Sequence, residues 1–269
     1  MDKRRHGFGL VIAALVVATP FIPVVLWAFA GEWRFPELFP TEWSLRGWEQ
    51  VFSGGGRVPE AIFNSLVIGA AATVTSVAVG LPAGMAIGGY EFRAKGAVVF
   101  LILLPILVPP LASTMGIHLT FILLGLSDTV FGVFLVHLIP TVPYTAIILA
   151  SVFADMTGEM EEAARSLGAS PWQAFRHVTL PRAVPGIAVA ALFAFLVSWS
   201  QYILTVLIGG GSVITLPMLL FSAASGNDPV ITSVLAALFA LPALIVLIVA
   251  LRFLKGDKES GMIGLGKPS

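Results

Sequence analysis

Chemistry in a polypeptide starts from side chains that ionise, attack or bind metal, and in this chain they are sparse: four histidines, no cysteine, and fifteen carboxylates against fifteen Lys and Arg in 269 residues. Without cysteine, disulfide and thiol chemistry are excluded. No spacing of His, Asp and Glu forms a metal-ligand cluster, and no nucleophile has a base placed to activate it. His118 and His137 fall singly in apolar stretches, where a lone histidine serves mainly as an interhelical hydrogen-bonding group. The run Gly261-Met262-Ile263-Gly264-Leu265-Gly266-Lys267-Pro268 has the glycine–lysine spacing of a phosphate-binding loop. It ends in proline in place of Ser or Thr, with no strand before it or helix after it, so this chain is not expected to hydrolyse ATP alone. What remains is a polar island, Glu162-Ala163-Ala164, then Gly168, then Val178-Thr179-Leu180-Pro181. Its residue types suit docking rather than bond-making.

The surroundings of that island are fit for lipid. A mean hydropathy of +0.95 and 57% hydrophobic residues leave too little polar surface to cover a water-soluble globule. Runs long enough to cross a hydrocarbon layer of ~30 Å can be drawn at Phe8–Ala30, Ile62–Gly89, Val98–Gly125, Thr129–Ala154, Ile187–Gly209 and Ile231–Leu254. The expected fold class is thus all-α and polytopic, with six transmembrane helices. The expected organisation is a first transmembrane helix within 1–30, an outer loop over 31–60, a core over 61–254 with five spans and a two-helix connector at 156–185, and a tail at 255–269.

Orientation follows from the basic residues. With the N-terminus inside, twelve of the fifteen lie on the inner side (Lys3, Arg4, Arg5, Arg93, Lys95, Arg165, Arg176, Arg182, Arg252, Lys255, Lys258 and Lys267), against Arg34, Arg46 and Arg57 outside. The positive-inside rule then places both termini in the cytoplasm. The net charge of zero gives no footprint for nucleic acid. An alternative for the first span is a signal peptide, from Lys3-Arg4-Arg5, the apolar run and Ala28-Phe29-Ala30. The run exceeds the usual h-region of about 7–15 residues and contains Pro20 and Pro23, which favours an uncleaved span. In the outer loop, Trp33, Trp43 and Trp48 fit an interfacial belt, the alternative being a docking surface for an external partner. Gly54-Gly55-Gly56 marks a break before the second span.

No Asp, Glu, Lys or Arg stands inside the six spans away from their ends. Ion-driven transporters usually need such groups for proton relays and coupling, so energy is expected to arrive from outside the chain. A secondary transporter or channel with the same number of spans is the alternative, and it predicts activity without nucleotide. Prolines are frequent where helices are expected, at Pro105, Pro109, Pro110, Pro140 and Pro143. Each is expected to kink or end a helix, leaving carbonyls that suit either a pathway between helices or local packing.

The island itself reads as two short helices. In the first, Thr157 can cap the N-terminus, Glu159, Glu161 and Glu162 complement the positive end of the dipole, and Glu161 and Arg165 form an i,i+4 pair. Met160, Ala163, Ala164 and Leu167 make a narrow apolar stripe, and Gly168 stops the helix as a C′ glycine. In the second, Ser170 is the N-cap, Pro171 the first helical residue, and Gln173 completes a capping box. Trp172, Phe175 and Val178 share a face, and Leu180-Pro181 is expected to close the element. Two capped helices around a breaker, one small-faced and one aromatic, suit a cleft on another protein.

At these residues the chain resembles the permease subunits of type I ATP-binding-cassette importers. In that family Glu-Ala-Ala, three residues, Gly, nine residues, an aliphatic, any residue and Leu-Pro form the loop that engages the ATPase. The match is complete apart from Val178, where the family most often has Ile. Asn64-Ser65-Leu66, Leu104-Pro105, Val108-Pro109 and Pro143-Tyr144 extend the similarity over about three quarters of the chain. The resemblance implies a non-catalytic permease of the inner membrane, coupled through Glu162, Ala163, Ala164, Gly168, Val178, Leu180 and Pro181. Met160, Leu167, Trp172 and Phe175 would form the contact face. It implies a cytoplasmic ATPase dimer as partner, ATP and Mg²⁺ bound there and no cofactor or metal on this chain. It further implies a second, homologous permease, expected to be a different chain, and an extracytoplasmic solute-binding protein.

For solute, Ser198, Trp199, Ser200, Gln201 and Tyr202 form the densest polar cluster at membrane depth and, with Asn64, are candidates to line the passage. Interhelical hydrogen bonding is the alternative role. The cluster, Thr215-Leu216-Pro217-Met218 and Asp228-Pro229 resemble the branch handling spermidine and putrescine, with relatives moving thiamine, ferric iron or phosphonates. A polyamine or another small polar solute is the expected cargo.

Overall fold

A computed structural model describes residues 19, 21–34, 36–53, 57–108, 110–156 and 158–245, with side chains left aside at 110–113. Most of the first expected span, the end of the sixth, Thr157 and the phosphate-loop-like run lie outside the described residues. The chain divides into two compact units, residues 1–61 with 216–269, and residues 62–215.

In the first unit, α1 (Phe21–Ala28) leads into a two-stranded antiparallel ribbon of β1 (Ala30–Glu32) and β2 (Glu42–Trp43), pairing Ala30 with Trp43 and Glu32 with Glu42. An all-α expectation therefore needs this small correction. α2 (Arg46–Ser53) follows, and the unit resumes with α11 (Leu216–Ala224) and α12 (Pro229–Ile245). Gly47 permits close packing, since a Cβ there would lie 2.7 Å from Val230 Cγ1. Beside it, Arg46 Nη1 donates to Asp228 Oδ2 at 2.9 Å, and the amides of Val230 and Ile231 donate to Oδ1 at 3.0 and 3.4 Å. Burial pushes the Asp228 carboxyl up, but the Arg46 hydrogen bond, the two amides and the guanidinium charge outweigh it and hold the group below its ordinary value. Of the outer-loop indoles, Trp43 is exposed, while Trp33 donates to the Glu37 carbonyl at 2.8 Å.

The second unit takes up α3 (Val58–Gly89) from residue 62 and holds α4 (Lys95–Leu107), α5 (Pro110–Leu123), α6 (Val130–Ala154), α7 (Glu159–Ser166), α8 (Pro171–Ala174), a π-helical turn at Phe175–Thr179, α9 (Leu180–Trp199) and α10 (Ile203–Gly209). Among the described residues, three helical runs are long and apolar enough to cross a membrane: Val58–Gly89, Val130–Ala154 and Pro171–Trp199. Shorter apolar helices are Lys95–Leu107, Thr114–Leu123 and Pro229–Ile245.

Proline acts unevenly. The expected third span is divided: α4 ends at Val108, whose φ of −76° and ψ of 125° are the extended values a residue before proline prefers. α6 instead continues through Pro140 and Pro143. Its start is set by Thr129, whose hydroxyl accepts from the Gly132 amide at 3.0 Å.

Close approach between α3 and α6 comes from residues four apart. Ser76 Oγ donates to Thr141 Oγ1 at 2.7 Å, and added Cβ atoms at Gly80 and Gly84 would lie 2.7 Å from Thr145 Cγ2 and 2.6 Å from Leu149 Cβ. At Gly88 an added Cβ would meet the Ala150 carbonyl. Small residues on one face let backbones meet where lipid gives no hydrophobic drive. α9 packs on α6 through Leu149, Phe153, Ala183 and Ala190, while Ile68, Val133, Val136, Leu204, Ile208 and Val213 form a second core.

Candidate functional site

The 159–182 segment is built by local rules. α7 ends in a Schellman motif: Gly168 has φ +92°, its amide donates to the Arg165 carbonyl at 3.0 Å, and the Ala169 amide donates to the Ala164 carbonyl at 3.1 Å. α8 opens with the full capping box, the Gln173 amide donating to Ser170 Oγ at 3.3 Å and the Ser170 amide to Gln173 Oε1 at 2.8 Å, with Pro171 in the first turn. At the start of α7, Gly158 is the N-cap and gives no side-chain bond.

Two sequence expectations are corrected here. Glu161 does not pair with Arg165; its Oε2 accepts from Thr179 Oγ1 at 3.0 Å, because the π turn brings that hydroxyl against α7. Leu180-Pro181 does not close the second helix, since the run is helical from Pro171 to Trp199. Pro181 sits directly after the π turn, in the first turn of α9.

The motif residues lie together at this surface. Met160, Leu167 and Trp172 are exposed, Leu167 at 90%, and Trp172 packs on Phe175 with centroids 5.6 Å apart. Ala163 and Gly168 are open to solvent, whereas Ala164, Val178 and Leu180 are half-buried. Beside the loop, an open cleft of about 260 Å³ is lined by Met85 of α3 and Tyr90 just after it, Phe153 at the end of α6 and Met156 after it, and Glu161, Glu162, Arg165, Val178, Thr179 and Arg182. A loop that borders an open cleft is held by fewer packing contacts on that side than a close-packed one.

The passage candidates do not form one cluster. Asn64 Nδ2 donates to the Ile214 carbonyl at 2.9 Å, tying α3 to the segment after α10. Ser198 and Trp199 are buried, with Trp199 stacked on Phe195 at 5.7 Å. Ser200, Gln201 and Tyr202 form the non-helical break between α9 and α10; Ser200 is exposed and the other two are half-buried. Sequence reasoning missed Thr205 and the partners of His137. His137 is 2% exposed, with Nδ1 2.8 Å from Ser198 Oγ and Nε2 2.9 Å from Thr205 Oγ1. Its reading as an interhelical hydrogen-bonding group agrees with this.

Helical runs of membrane-spanning length and composition among the described residues define a membrane protein. The chain belongs to the family described as binding-protein-dependent transport system inner membrane component, whose profile matches residues 80–256. It is 30% identical to the trehalose transport system permease protein SugB of Mycobacterium tuberculosis over 76% of each chain. It is 26% identical to the spermidine/putrescine transport system permease protein PotC of Haemophilus influenzae, over 90% of this chain and 94% of that one. The fold matches a chain of a bacterial ABC transporter involved in the import of the acidic polysaccharide alginate, at TM-score 0.72 and 21% identity, over 94% of this chain and 98% of the other. Relatives thus span sugar and polyamine systems, and the similarity does not single out the polyamine branch.

Proposed function

We propose that this chain is the energy-coupled permease half of a solute importer. It takes its drive from a separate ATPase through residues 156–185 and forms one side of the passage beside a second permease. The observation that carries this reading is the loop: a Schellman turn at Gly168 and a capped α8 present Met160, Leu167 and Trp172 to solvent, on the residues that match the ATPase-engaging motif. Glu162 anchors the docked loop by charge-assisted bonds, and Ala163 and Ala164 allow close approach. ATP and Mg²⁺ remain with the partner, and the permease catalyses no bond change itself.

In this reading six spans cross the membrane with both termini inside, supported by the twelve-to-three division of basic residues. A binding protein delivers a small polar solute, polyamine or sugar being the classes the relatives suggest. Solute passes the break at Ser200–Tyr202, where backbone freed from the helix is tolerated because it lines a cavity.

The test is co-purification of the wild-type chain and Gly168→Trp with the cognate ATPase, followed by ATP hydrolysis in lipid. Loss of association or of coupled hydrolysis in the variant alone is the expected result. Absence of ATPase association with the wild type would overturn the reading in favour of a transporter that works without nucleotide.

A further inference from the structure

Nothing in the local sequence requires the chain to leave the helix at residues 200–202. Between Ser198 and Leu204 there is no glycine and no proline, and in hydrocarbon an unbroken helix is favoured because it satisfies every backbone group. Something outside the segment must hold the break.

The geometry identifies it. Ser198 stands at the end of α9 and Thr205 in the first turn of α10, and His137 of α6 reaches both, at 2.8 and 2.9 Å. The donors can be assigned. The single proton of the Thr205 hydroxyl goes to the Gln201 carbonyl at 2.8 Å, so Thr205 Oγ1 accepts from His137 Nε2–H. Nδ1 is then unprotonated and accepts from the Ser198 hydroxyl. A neutral imidazole thus uses both nitrogens across the break, and the same threonine holds the Gln201 carbonyl within it.

The clamp has a fixed base. The Thr141 hydroxyl donates to the His137 carbonyl at 2.8 Å, and Ser76 donates to Thr141 at 2.7 Å. Four helices, α3, α6, α9 and α10, therefore share one buried chain of hydrogen bonds. Each member left without its partner would be costly at this depth.

We propose that His137 is a positioning residue for transport: by clamping Ser198 and Thr205 it keeps residues 200–202 out of the helix and holds Gln201 towards the solute path. This rests on the reading that the break lines the passage. Without the clamp the segment closes towards a continuous helix, and position 201 turns away from water.

The chain contains no cysteine, so an introduced cysteine is the single thiol on it. Gln201→Cys is labelled in the assembled transporter, in membrane vesicles, with the impermeant thiol reagent 2-(trimethylammonium)ethyl methanethiosulfonate. Leu38→Cys, at a position 84% exposed, is the control. The expected result is a fall of about five- to tenfold in the labelling rate at 201 on adding His137→Leu, the loss of about one hydrogen bond's worth of bias, with the control rate unchanged. His137→Gln has similar bulk but keeps a donor towards Thr205, and is expected to recover part of the rate. Equal slowing by Leu and Gln would assign His137 to packing alone and overturn the proposal, as would a rate at 201 unchanged within twofold in His137→Leu. If His137→Leu does not accumulate, Thr205→Val makes the same comparison. An unreactive Gln201→Cys in the otherwise unaltered chain would instead overturn the passage reading on which the proposal depends.

Discussion

Gly84→Ala tests whether α3 and α6 are held by close backbone approach. The added methyl carbon would lie 2.6 Å from Leu149 Cβ, 2.9 Å from the Leu149 carbonyl carbon and 3.0 Å from the Ala150 nitrogen. Carbon pairs are most favourable at about 3.5–4.0 Å, so relief requires the helices to part by roughly 1 Å. Two of the three obstructing atoms are backbone and cannot rotate aside. A shift of that size carries the 2.7 Å Ser76–Thr141 bond beyond hydrogen-bonding range, forfeiting about 1 kcal/mol, and loosens contact at Gly80 and Gly88. Alanine recovers about 0.5–1 kcal/mol of helix preference, and overpacking costs about 1–3 kcal/mol. The net expectation is a loss of roughly 1–3 kcal/mol, a fall of about 5- to 150-fold in the folded-to-unfolded ratio. Equilibrium unfolding in micelles measures it. Gly116→Ala in α5 is the internal comparison, because a Cβ there meets nothing within 4 Å, and it is expected to be neutral or slightly stabilising. A Gly84→Ala chain as stable as wild type would refute the close-approach argument, and equal losses in both variants would show that the effect has no relation to the α3–α6 contact.

Gly168→Ala places a side chain at φ +92° in otherwise open space, so only backbone strain of about 1–2 kcal/mol opposes it. Hydrogen-exchange protection of the Gly168 and Ala169 amides is expected to fall by about 5- to 30-fold, with Gly168→Asn intermediate. Thr179→Val removes the donor to Glu161 and is expected to increase proteolytic cutting within 159–169, with Thr179→Ser restoring protection; identical digestion of all three would dismiss the contact. For Asp228 the folded-state value lies below the unfolded one, so its contribution is complete above the ordinary carboxylate value of about 3.9 and fades as pH falls through the lower, folded value. Exchange at Val230 and Ile231, corrected for intrinsic pH dependence, is expected to show this acid-dependent loss in wild type and none in Asp228→Asn.

What was legible in the sequence was local. The capping box at Ser170 and Gln173 and the terminating Gly168 depend on residues three or four apart, and the structure forms both. Where a tertiary partner competes, the local rule loses: Glu161 takes the Thr179 hydroxyl eighteen residues away in preference to Arg165. The π turn that delivers Thr179 has no sequence signal, and without it Leu180-Pro181 reads locally as a stop. His137 could be singled out as a lone polar group, but its partners lie 61 and 68 residues away and become neighbours only when α6, α9 and α10 pack. The α3 seam is present in the sequence, since Ser76, Gly80, Gly84 and Gly88 recur every four residues, but small residues in an apolar run give neither a charge nor a kink signal. The small ribbon at 30–43 was hidden because strands of three and two residues leave no periodicity to detect.

The continuity of the helical run from Pro171 to Trp199 has a mechanical consequence. Its 29 residues at about 1.5 Å each form a rod of roughly 43 Å, with Trp172 at one end and Ser198 beside the break at the other. The run includes a π turn at Phe175–Thr179 and prolines at Pro181 and Pro185, but no non-helical break separates its two ends. A tilt of about 5° about the Trp172 end moves the far end by nearly 4 Å on that length, several times the few tenths of an ångström over which a hydrogen bond to His137 survives. The rod is thus a lever with gain: a small displacement applied at the surface arrives at the break as a step large enough to open or close the clamp.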